Sequence, residues 1–278
     1  MNNIGAHVSI AGSLDLAIDR AVEIGASCIQ IHGQSPQVWA KKKFTAQEVG
    51  EFRRKKTESS INPVFLHGIY LINLATENPE LLEKSKDSLT HYLQLARDFA
   101  AQGVIFHLGS GKESMFFHPL DQIITVVGEI LAKTLDCPQL IFEQTVSNGD
   151  KIGDFSDLGY LLEKINNPRI KICLDTCHLF ADGYALGGKG LKNTINEATK
   201  HGVWDKVVVV HVNDAKFELN SKKDRHENIG EGKIGKSALK EFLSLSEIRV
   251  LPLILEVPGF DNLGPDKQNI DTLKQLLL

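Results

Sequence analysis

The feature that most constrains the fold of this chain is an alternation, repeated eight times, of short apolar segments with longer segments of helical period. The short segments are rich in β-branched residues and apolar on both faces, as buried parallel strands are. Segments of helical period include 79–102 and 120–135. The predicted strands are NIGAHVS (3–9), CIQIHG (28–33), NPVFLHG (62–68), GVIFHLG (103–109), QLIFEQT (139–145), IKICLDT (170–176), KVVVVHVND (206–214) and VLPLILEVP (250–258).

This order of elements predicts an α/β fold, a single (β/α)8 TIM barrel that spans residues 1–278. An open, doubly wound sheet is the alternative that the pattern leaves. Length alone would allow two domains, but no linker rich in Pro, Gly or Ser and no low-complexity tract divides the chain. We therefore expect one domain, with its active site at the C-terminal ends of the strands, where barrels of this type place it.

Composition excludes several classes of protein. Because the net charge is −4, the chain is not basic throughout, and any contact with nucleic acid must come from a local patch.

The N-terminal segment MNNIGAHVSI does not resemble a signal peptide, and no apolar stretch approaches the roughly 18 residues that span a bilayer. We therefore expect a cytoplasmic protein without a membrane partner, and reduced thiols at its four cysteines, which form no CxxC pair: Cys28, Cys137, Cys173 and Cys177.

Side chains that can bind a metal stand at the ends of six consecutive predicted strands, the third to the eighth. One strand-end histidine would more often be an ordinary hydrogen-bonded residue, but six such positions in phase indicate a shared site. A buried cluster of imidazoles and carboxylates is also unfavourable unless a cation compensates it. The residues are His67, His107, Glu143, Asp175 with His178, His211, and Glu256.

The polar segment KKDRHENIGEGKIG (222–235) adds two further candidate ligands, Asp224 and His226, which could form a three-ligand set with His178. The total is then nine ligands, and because a catalytic metal typically takes three protein ligands, two or three ions are expected. Imidazole mixed with carboxylate suits zinc, iron or manganese better than magnesium alone. Cys173 and Cys177 are interpreted as small buried hydrophobes rather than ligands.

The same segment matches the G-x-G-x-x-G dinucleotide fingerprint at Gly230, Gly232 and Gly235. That fingerprint requires a strand immediately before it, whereas a charged segment precedes it here, so the glycines are interpreted as turn formers. Among the other histidines, His7 and His32 could orient a ligand from outside the metal site. His91 and His201 are expected to be solvated on helices.

The chain, including these candidate ligands, resembles the endonuclease IV family of apurinic/apyrimidinic endonucleases over essentially its whole length. The similar segments are IGAHVS, YLINLA, LDTCHLFADGY, HVNDAK, DRHENIGEGKIG and LILEVP, of which DRHENIGEGKIG is the most specific. The resemblance implies a barrel with three zinc ions, one of which manganese or iron could replace. It also implies hydrolysis of the DNA backbone 5′ to abasic sites, leaving 3′-hydroxyl and 5′-deoxyribose phosphate ends, and some removal of 3′-blocking groups.

The resemblance divides the nine candidate ligands into three sets. His67, His107 and Glu143 would hold the first ion, and Glu143 would bridge to the second and act as the catalytic carboxylate. Paired ions about 3.5–4 Å apart can activate a nucleophile and stabilise both the attacking and the leaving oxygen. The second set is Glu143, Asp175, His211 and Glu256, and the third is His178, Asp224 and His226.

The resemblance also implies DNA contacts. Tyr70 is expected to stack on a base beside the lesion, and Gln37 stands where the family commonly has an inserting Arg. Lys41, Lys42 and Lys43 follow the second strand and could contact phosphates, whereas the basic run 53–56 is assigned to a helix end. His32 replaces a common Phe. The expected partner is double-stranded DNA with abasic sites, and a monomer is expected.

The same residues are compatible with two other functions. A metal-dependent sugar isomerase or epimerase could use the same barrel, because a fold does not determine a function. Such an enzyme would need one or two ions, so the Asp224/His226 set and the Lys41–Lys43 segment argue against it. A non-enzymatic, metal-dependent DNA-binding protein is the third possibility, and the intact bridging Glu143 argues against that.

Overall fold

The computed structural model describes residues 3–278, whose strands and helices we number in chain order. Eight parallel strands form a closed barrel: β1 (Ile4–His7), β2 (Cys28–His32), β3 (Val64–His67), β4 (Gly103–Phe106), β5 (Gln139–Glu143), β6 (Ile170–Asp175), β7 (Val207–His211) and β10 (Leu253–Leu255). Two short strands outside the barrel, β8 (Asp214–Ala215) and β9 (His226–Glu227), pair antiparallel. The helices are α1 (Leu16–Ile24), α2 (Ala46–Glu58), α3 (Pro79–Asp98), α4 (Pro119–Lys133), α5 (Phe155–Ile165), α6 (Thr176–Asp182), α7 (Gly188–Lys200), α8 (Gly235–Leu243) and α9 (Lys267–Leu276), with a 3-10 turn at Trp204–Lys206.

The TIM-barrel prediction is confirmed. Strand β1 pairs with β2 on one side and with β10 on the other, where Ile4 is in register with Leu253. This pairing closes the sheet and excludes the open, doubly wound alternative, in which the first and last strands would not meet. Among the described residues, no helix combines the length and the apolar character that a membrane crossing requires.

All eight predicted strands exist, but most were predicted too long. The segment 206–214 divides into β7 and β8, and the segment 250–258 contains only the three-residue strand β10. The physical reason is that the apolar pattern continues past the strand ends. Val212 and Val257 are buried in the connections that leave the barrel, so hydrophobicity extends beyond the hydrogen-bonded ladder.

The barrel interior explains why the candidate ligands share one rim. A small inner cluster fills the barrel, and it includes Phe65, Ile105, Ile141, Cys173, Val209 and Ile254. Each of these residues stands two positions before a candidate ligand, for example Ile105 before His107. Because side chains on a strand alternate with a period of two, an inward-facing residue is followed two positions later by another inward-facing one. The apolar layer therefore supports a polar layer at the C-terminal rim.

The helix ends agree with the sequence. Helix α3 begins with Pro79 in its first turn after an Asn78 cap, and Asp121 lies in the first turn of α4. The basic run 53–56 lies toward the C-terminal end of α2, and Lys55 forms ion pairs with Asp15 and Asp19 at distances of 2.7 and 2.5 Å. This confirms the assignment of that run to a helix end away from the candidate site.

Candidate metal centre

The ends of β3, β4 and β5 bring together the first group of candidate ligands. His67 Nε2 lies 3.0 Å and His107 Nε2 lies 2.9 Å from Glu143 Oε2. The other ring nitrogen of His67, Nδ1, is 2.8 Å from the carbonyl oxygen of Gly68. Donation from Nδ1–H to that carbonyl leaves the Nε2 lone pair facing Glu143, as a metal ligand requires.

The second group shares Glu143 with the first. His211 Nδ1 lies 3.1 Å from Glu143 Oε1, 3.3 Å from Glu256 Oε2 and 3.8 Å from Asp175 Oδ2. The two oxygens of Glu143 therefore face different groups of side chains. One oxygen faces the histidines of β3 and β4, and the other faces the histidine of β7, which is the arrangement that a bridging carboxylate needs.

The third group combines the start of α6 with a loop. His178 Nε2 lies 3.2 Å from Asp224 Oδ2, and His226 Nε2 lies 3.5 Å from Asp224 Oδ1. Asp175 caps α6 by accepting a hydrogen bond of 2.9 Å from the backbone N–H of His178. The two oxygens of Asp175 thus have different roles, because Oδ1 begins the helix that carries His178 while Oδ2 faces His211.

The side chains of these groups fit a bound cation. Four histidines place one ring nitrogen against a fixed oxygen acceptor, and the other nitrogen faces carboxylates. Besides that of His67, the fixed contacts are 2.8 Å from His178 Nδ1 to the Gln144 carbonyl, 3.1 Å from His226 Nδ1 to the Glu256 carbonyl and 2.8 Å from His211 Nε2 to Gln30 Oε1. Lone pairs of nitrogen and oxygen then face each other, and a cation between them would satisfy both. Ligand atoms within each of the three predicted sets lie within 4.8 Å of one another.

The pKa shifts show how strongly the groups interact. Burial lowers the pKa of His178, but the carboxylates of Asp175 and Asp224 outweigh burial and raise this pKa well above its ordinary value. Burial raises the pKa of Glu143, but the facing imidazoles of His107 and His211 outweigh it and lower this pKa well below its usual range. The carboxylates therefore favour positive charge at the rim, whether it is carried by an imidazole or by a bound cation.

One further set within reach of a single ion includes a thiol, since Asp175, Cys177 and His226 also lie close together. Cys177 is fully buried, and burial raises the pKa of its thiol. Burial likewise raises the pKa of Cys173 to about 12. Because a cysteine binds metal as the thiolate, these shifts favour the interpretation of both residues as buried hydrophobes.

Sequence reasoning missed three buried polar residues beside the ligands. Asn213 Nδ2 donates to Asp175 Oδ2 at 2.7 Å, and Asn213 Oδ1 accepts from the backbone N–H of Glu256 at 2.8 Å. The other two are Asp214 and Gln30. The available signal was a polar residue inside an otherwise apolar strand segment, as in CIQIHG and KVVVVHVND, but this signal does not indicate which partners such a residue has.

The glycines of the segment 222–235 let its backbone approach the buried carboxylate of Asp214 closely. This carboxylate accepts hydrogen bonds from the backbone N–H groups of Gly230, Ile234 and Gly235. A Cβ added at Gly232 would lie 2.5 Å from Asp214 Oδ1, so no larger residue fits there. The glycines fold the loop around a buried carboxylate, which agrees with their interpretation as turn formers.

Two of the candidate DNA contacts, Tyr70 and Lys42, line a surface cleft together with His226 and Glu256. Tyr70 is 65% exposed, its ring centroid lies 5.5 Å from that of His32, and its backbone N–H donates to the carbonyl of Pro36. Gln37 is exposed in the loop after β2. In the lysine segment, Lys43 is exposed, Lys42 Nζ lies 4.8 Å from the centre of the Phe44 ring, and Lys41 Nζ pairs with Asp87 Oδ1 at 2.5 Å.

Histidines outside the ligand sets have defined partners. His32 Nδ1 contacts the carbonyl oxygen of His67 at 3.0 Å, and His7 Nδ1 lies 3.4 Å from Glu256 Oε1. Burial, together with the nearby His7 and His67, lowers the pKa of His32 to about 2, so it is neutral. Both residues thus adjoin ligands, as expected. The prediction that His91 and His201 are solvated is wrong, because both are partly buried. His91 Nε2 contacts the carbonyl of Lys42 at 3.1 Å, and His201 Nε2 lies 3.0 Å from Glu197 Oε1.

A cleft of about 250 Å³ lies directly over the ligands and includes Tyr70 and Arg225 in its lining. Larger clefts of about 530 and 650 Å³ extend from it on either side of Tyr70. A fourth cleft, of about 470 Å³, shares Asp224 with the first and is lined by four basic residues: Lys151, Lys222, Lys223 and Arg225. These basic residues come from loops distant in sequence, so their grouping was not predicted.

Comparison with known proteins agrees with this geometry. Residues 18–276 match the family described as xylose isomerase-like TIM barrel. The chain is 36% identical over 280 residues to a probable endonuclease 4 of Sulfurihydrogenibium sp., and the match covers 100% of both chains. This chain belongs to the endonuclease IV family. The crystal structure of endonuclease IV from Thermus thermophilus superposes with a TM-score of 0.87 at 30% identity, covering 99% of this chain and 98% of that one.

A more distant likeness concerns the fold alone. The structure of a D-tagatose 3-epimerase-like protein superposes with a TM-score of 0.72 at 16% identity, covering 98% of this chain and 97% of that one. The barrel fold is thus also found in a protein outside the endonuclease IV family.

Proposed function

We propose that this chain is a zinc-dependent DNA repair endonuclease that hydrolyses the phosphodiester bond 5′ to abasic sites. The products would be 3′-hydroxyl and 5′-deoxyribose phosphate ends, and 3′-blocking groups would also be substrates. The observation that carries the proposal is the position of Glu143, whose two carboxylate oxygens face two separate groups of candidate ligands. Membership of the endonuclease IV family supports the same conclusion.

In this proposal the nine candidate ligands hold three zinc ions, with manganese or iron as an alternative at one of them. Bound zinc would supply Lewis-acid stabilisation of the phosphate oxygens and make a water easier to deprotonate. The protein's contribution is to hold the ligands in place. Glu143 and Asp175 are fully buried, and their hydrogen-bonding partners come from different strands, so the charges are fixed before the substrate arrives.

The clefts support a DNA substrate. Lys42 lines the cleft on one side of Tyr70, and Lys151 lines the cleft on the other side. Basic side chains on both sides of the ligands can hold phosphates on both sides of the scissile bond. The overall charge of −4 then does not oppose DNA binding, because the positive charge is local.

Recognition of the lesion would depend on Tyr70. An abasic sugar has no base to unstack, so moving it toward the ligands requires less free energy than flipping an intact nucleotide. Tyr70 is exposed and stands between the two side clefts, where its ring can stack on the base beside the gap. Gln37, also exposed, would be an uncharged wedge from the neighbouring loop.

In this proposal residues 1–278 form one catalytic domain, which acts as a monomer on damaged double-stranded DNA. The cytoplasmic location of the protein stays a prediction.

The test compares metal-free protein with protein reloaded with zinc, each incubated with a duplex that carries one abasic site and with the matching intact duplex. We expect zinc-dependent nicking of the abasic duplex alone. Equal nicking without metal would contradict the proposal. Conversion of a ketose without any nicking would instead favour the epimerase alternative.

A further inference from the structure

Gln30 lies inside the barrel next to the second group of candidate ligands and is fully buried. Its carboxamide contacts three polar side chains from three different strand ends. Gln30 Oε1 lies 2.8 Å from His211 Nε2, and Gln30 Nε2 lies 2.5 Å from Glu256 Oε1 and 2.9 Å from His7 Nδ1. Every donor and acceptor position that faces these neighbours is therefore used.

The chemistry of a carboxamide determines the direction of each hydrogen bond. The NH2 group has two hydrogens, and its two acceptors are the Glu256 carboxylate and the Nδ1 lone pair of His7. The oxygen can only accept, so the facing Nε2 of His211 must carry a hydrogen. The reverse orientation of the amide would place its oxygen 2.5 Å from the Glu256 carboxylate oxygen, which two acceptors cannot tolerate.

We infer that Gln30 is a positioning residue for the second ligand group, fixing the tautomer of His211 and the orientation of Glu256. A hydrogen on His211 Nε2 leaves its Nδ1 lone pair directed toward Glu143 and Glu256. The hydrogen bond from Gln30 Nε2 to Glu256 Oε1 leaves the other oxygen of Glu256, Oε2, facing His211 Nδ1. One amide thus aligns a neutral ligand and a charged ligand from two strands toward a single position. This inference rests on the proposed function, because it assumes that a metal binds there.

The test replaces Gln30 with methionine, which has a similar length but cannot form these hydrogen bonds. Gln139→Met is the matched control, since Gln139 begins β5 at the opposite end of the barrel and its Oε1 makes no hydrogen bond within residues 3–278. Zinc per chain is measured after dialysis against graded chelator concentrations. We expect one zinc ion of Gln30→Met to bind about 10–100-fold more weakly than in the parent, as when an outer partner of a ligand is lost. The control should match the parent.

A second readout distinguishes positioning from a general loss of structure. Long-range ¹H–¹⁵N correlation spectra of the zinc-loaded protein report which ring nitrogen of His211 carries the hydrogen. We expect hydrogen on Nε2 in the parent, and a changed or mixed pattern in Gln30→Met. Gln30→Glu keeps the acceptor for His211 but loses the donors to Glu256, so it should retain the tautomer while zinc affinity still falls. Because Gln30 is buried below the cleft, kcat should fall in both variants while KM for the abasic duplex stays near that of the parent.

The outcomes separate this inference from the proposed function. If the parent binds zinc and nicks abasic DNA, but Gln30→Met keeps both the zinc affinity and the His211 tautomer of the parent, Gln30 has no positioning role and the proposed function stands. If the parent binds no zinc at all, both the proposed function and the inference are wrong.

Discussion

The substitution Glu143→Gln tests the metal centre most directly, because it changes one charge and almost no volume. In the parent, Glu143 Oε2 lies 3.0 and 2.9 Å from the imidazole nitrogens of His67 and His107, and Oε1 lies 3.1 Å from that of His211. A carboxamide presents an oxygen to one of these groups and an NH2 to the other. Since an NH2 group does not bind zinc, one group loses a protein ligand and both lose negative charge.

The structure allows the size of the effect to be set. The first group would fall from three protein ligands to two, or the second from four to three, so at least one zinc ion per chain should be lost or weakly held. We expect the single-turnover rate constant for cleavage to fall by about 10²–10³, or about 2.7–4 kcal/mol, the range for removal of one preorganised electrostatic group from an active site. The fold should survive, because an isosteric change in a buried site conserves packing.

The assay is single-turnover nicking of an abasic duplex, run beside elemental analysis of zinc and a thermal melt of each protein. Glu163→Gln is the matched control, since Glu163 is exposed on α5 and pairs only with the adjacent Lys164 among the ion pairs of the described residues. We expect the control to match the parent in all three measurements. A Glu143→Gln protein with near-normal cleavage and a full complement of zinc would refute the bridging role.

Three further substitutions test other parts of the proposal. His226→Ala removes one of three ligands in the third group and should lower zinc content by about one ion and slow cleavage; unchanged zinc content would make His226 an ordinary loop residue. Tyr70→Ala should weaken binding of an abasic duplex by about 1–3 kcal/mol, the range for loss of an aromatic–base stack. Titration against abasic and intact duplexes checks this, and parent-like binding would exclude insertion. Gln37→Arg should tighten binding and steepen its salt dependence, by about one unit of slope if one phosphate contact is gained; titration at two salt concentrations measures the change.

The common location of the strand-borne candidate ligands could be predicted because two regularities act together. The eightfold alternation places all strand ends on one rim, and the period of two then directs every second side chain inward. His107 follows Ile105, and Glu143 follows Ile141, so an apolar position predicts the ligand position above it. This reasoning needs no knowledge of loop conformation, and the structure brings all nine predicted ligands together.

The remaining features depend on contacts that have no sequence period. Gln30 and Asn213 each bind partners more than 35 residues away along the chain, and a polar residue in an apolar strand does not reveal which partners those are. The basic cleft likewise requires Lys151 and Arg225 to meet from separate loops. The strand ends were overextended for a related reason, since burial alone cannot distinguish a paired strand from a packed connection.

The third ligand group differs from the other two in how it is held. Glu143 and His211 end strands β5 and β7, and His107 and Glu256 directly follow β4 and β10, so the closed hydrogen-bonded barrel fixes their backbone. Asp224 lies in a loop and His226 begins the short strand β9, and the glycine-rich continuation of this segment folds around the buried carboxylate of Asp214. Asp214 is also paired with β9, which carries His226. The third group therefore depends on a local network that can be lost without opening the barrel. Damage to that network should remove the proposed third metal site while the proposed strand-borne sites remain intact.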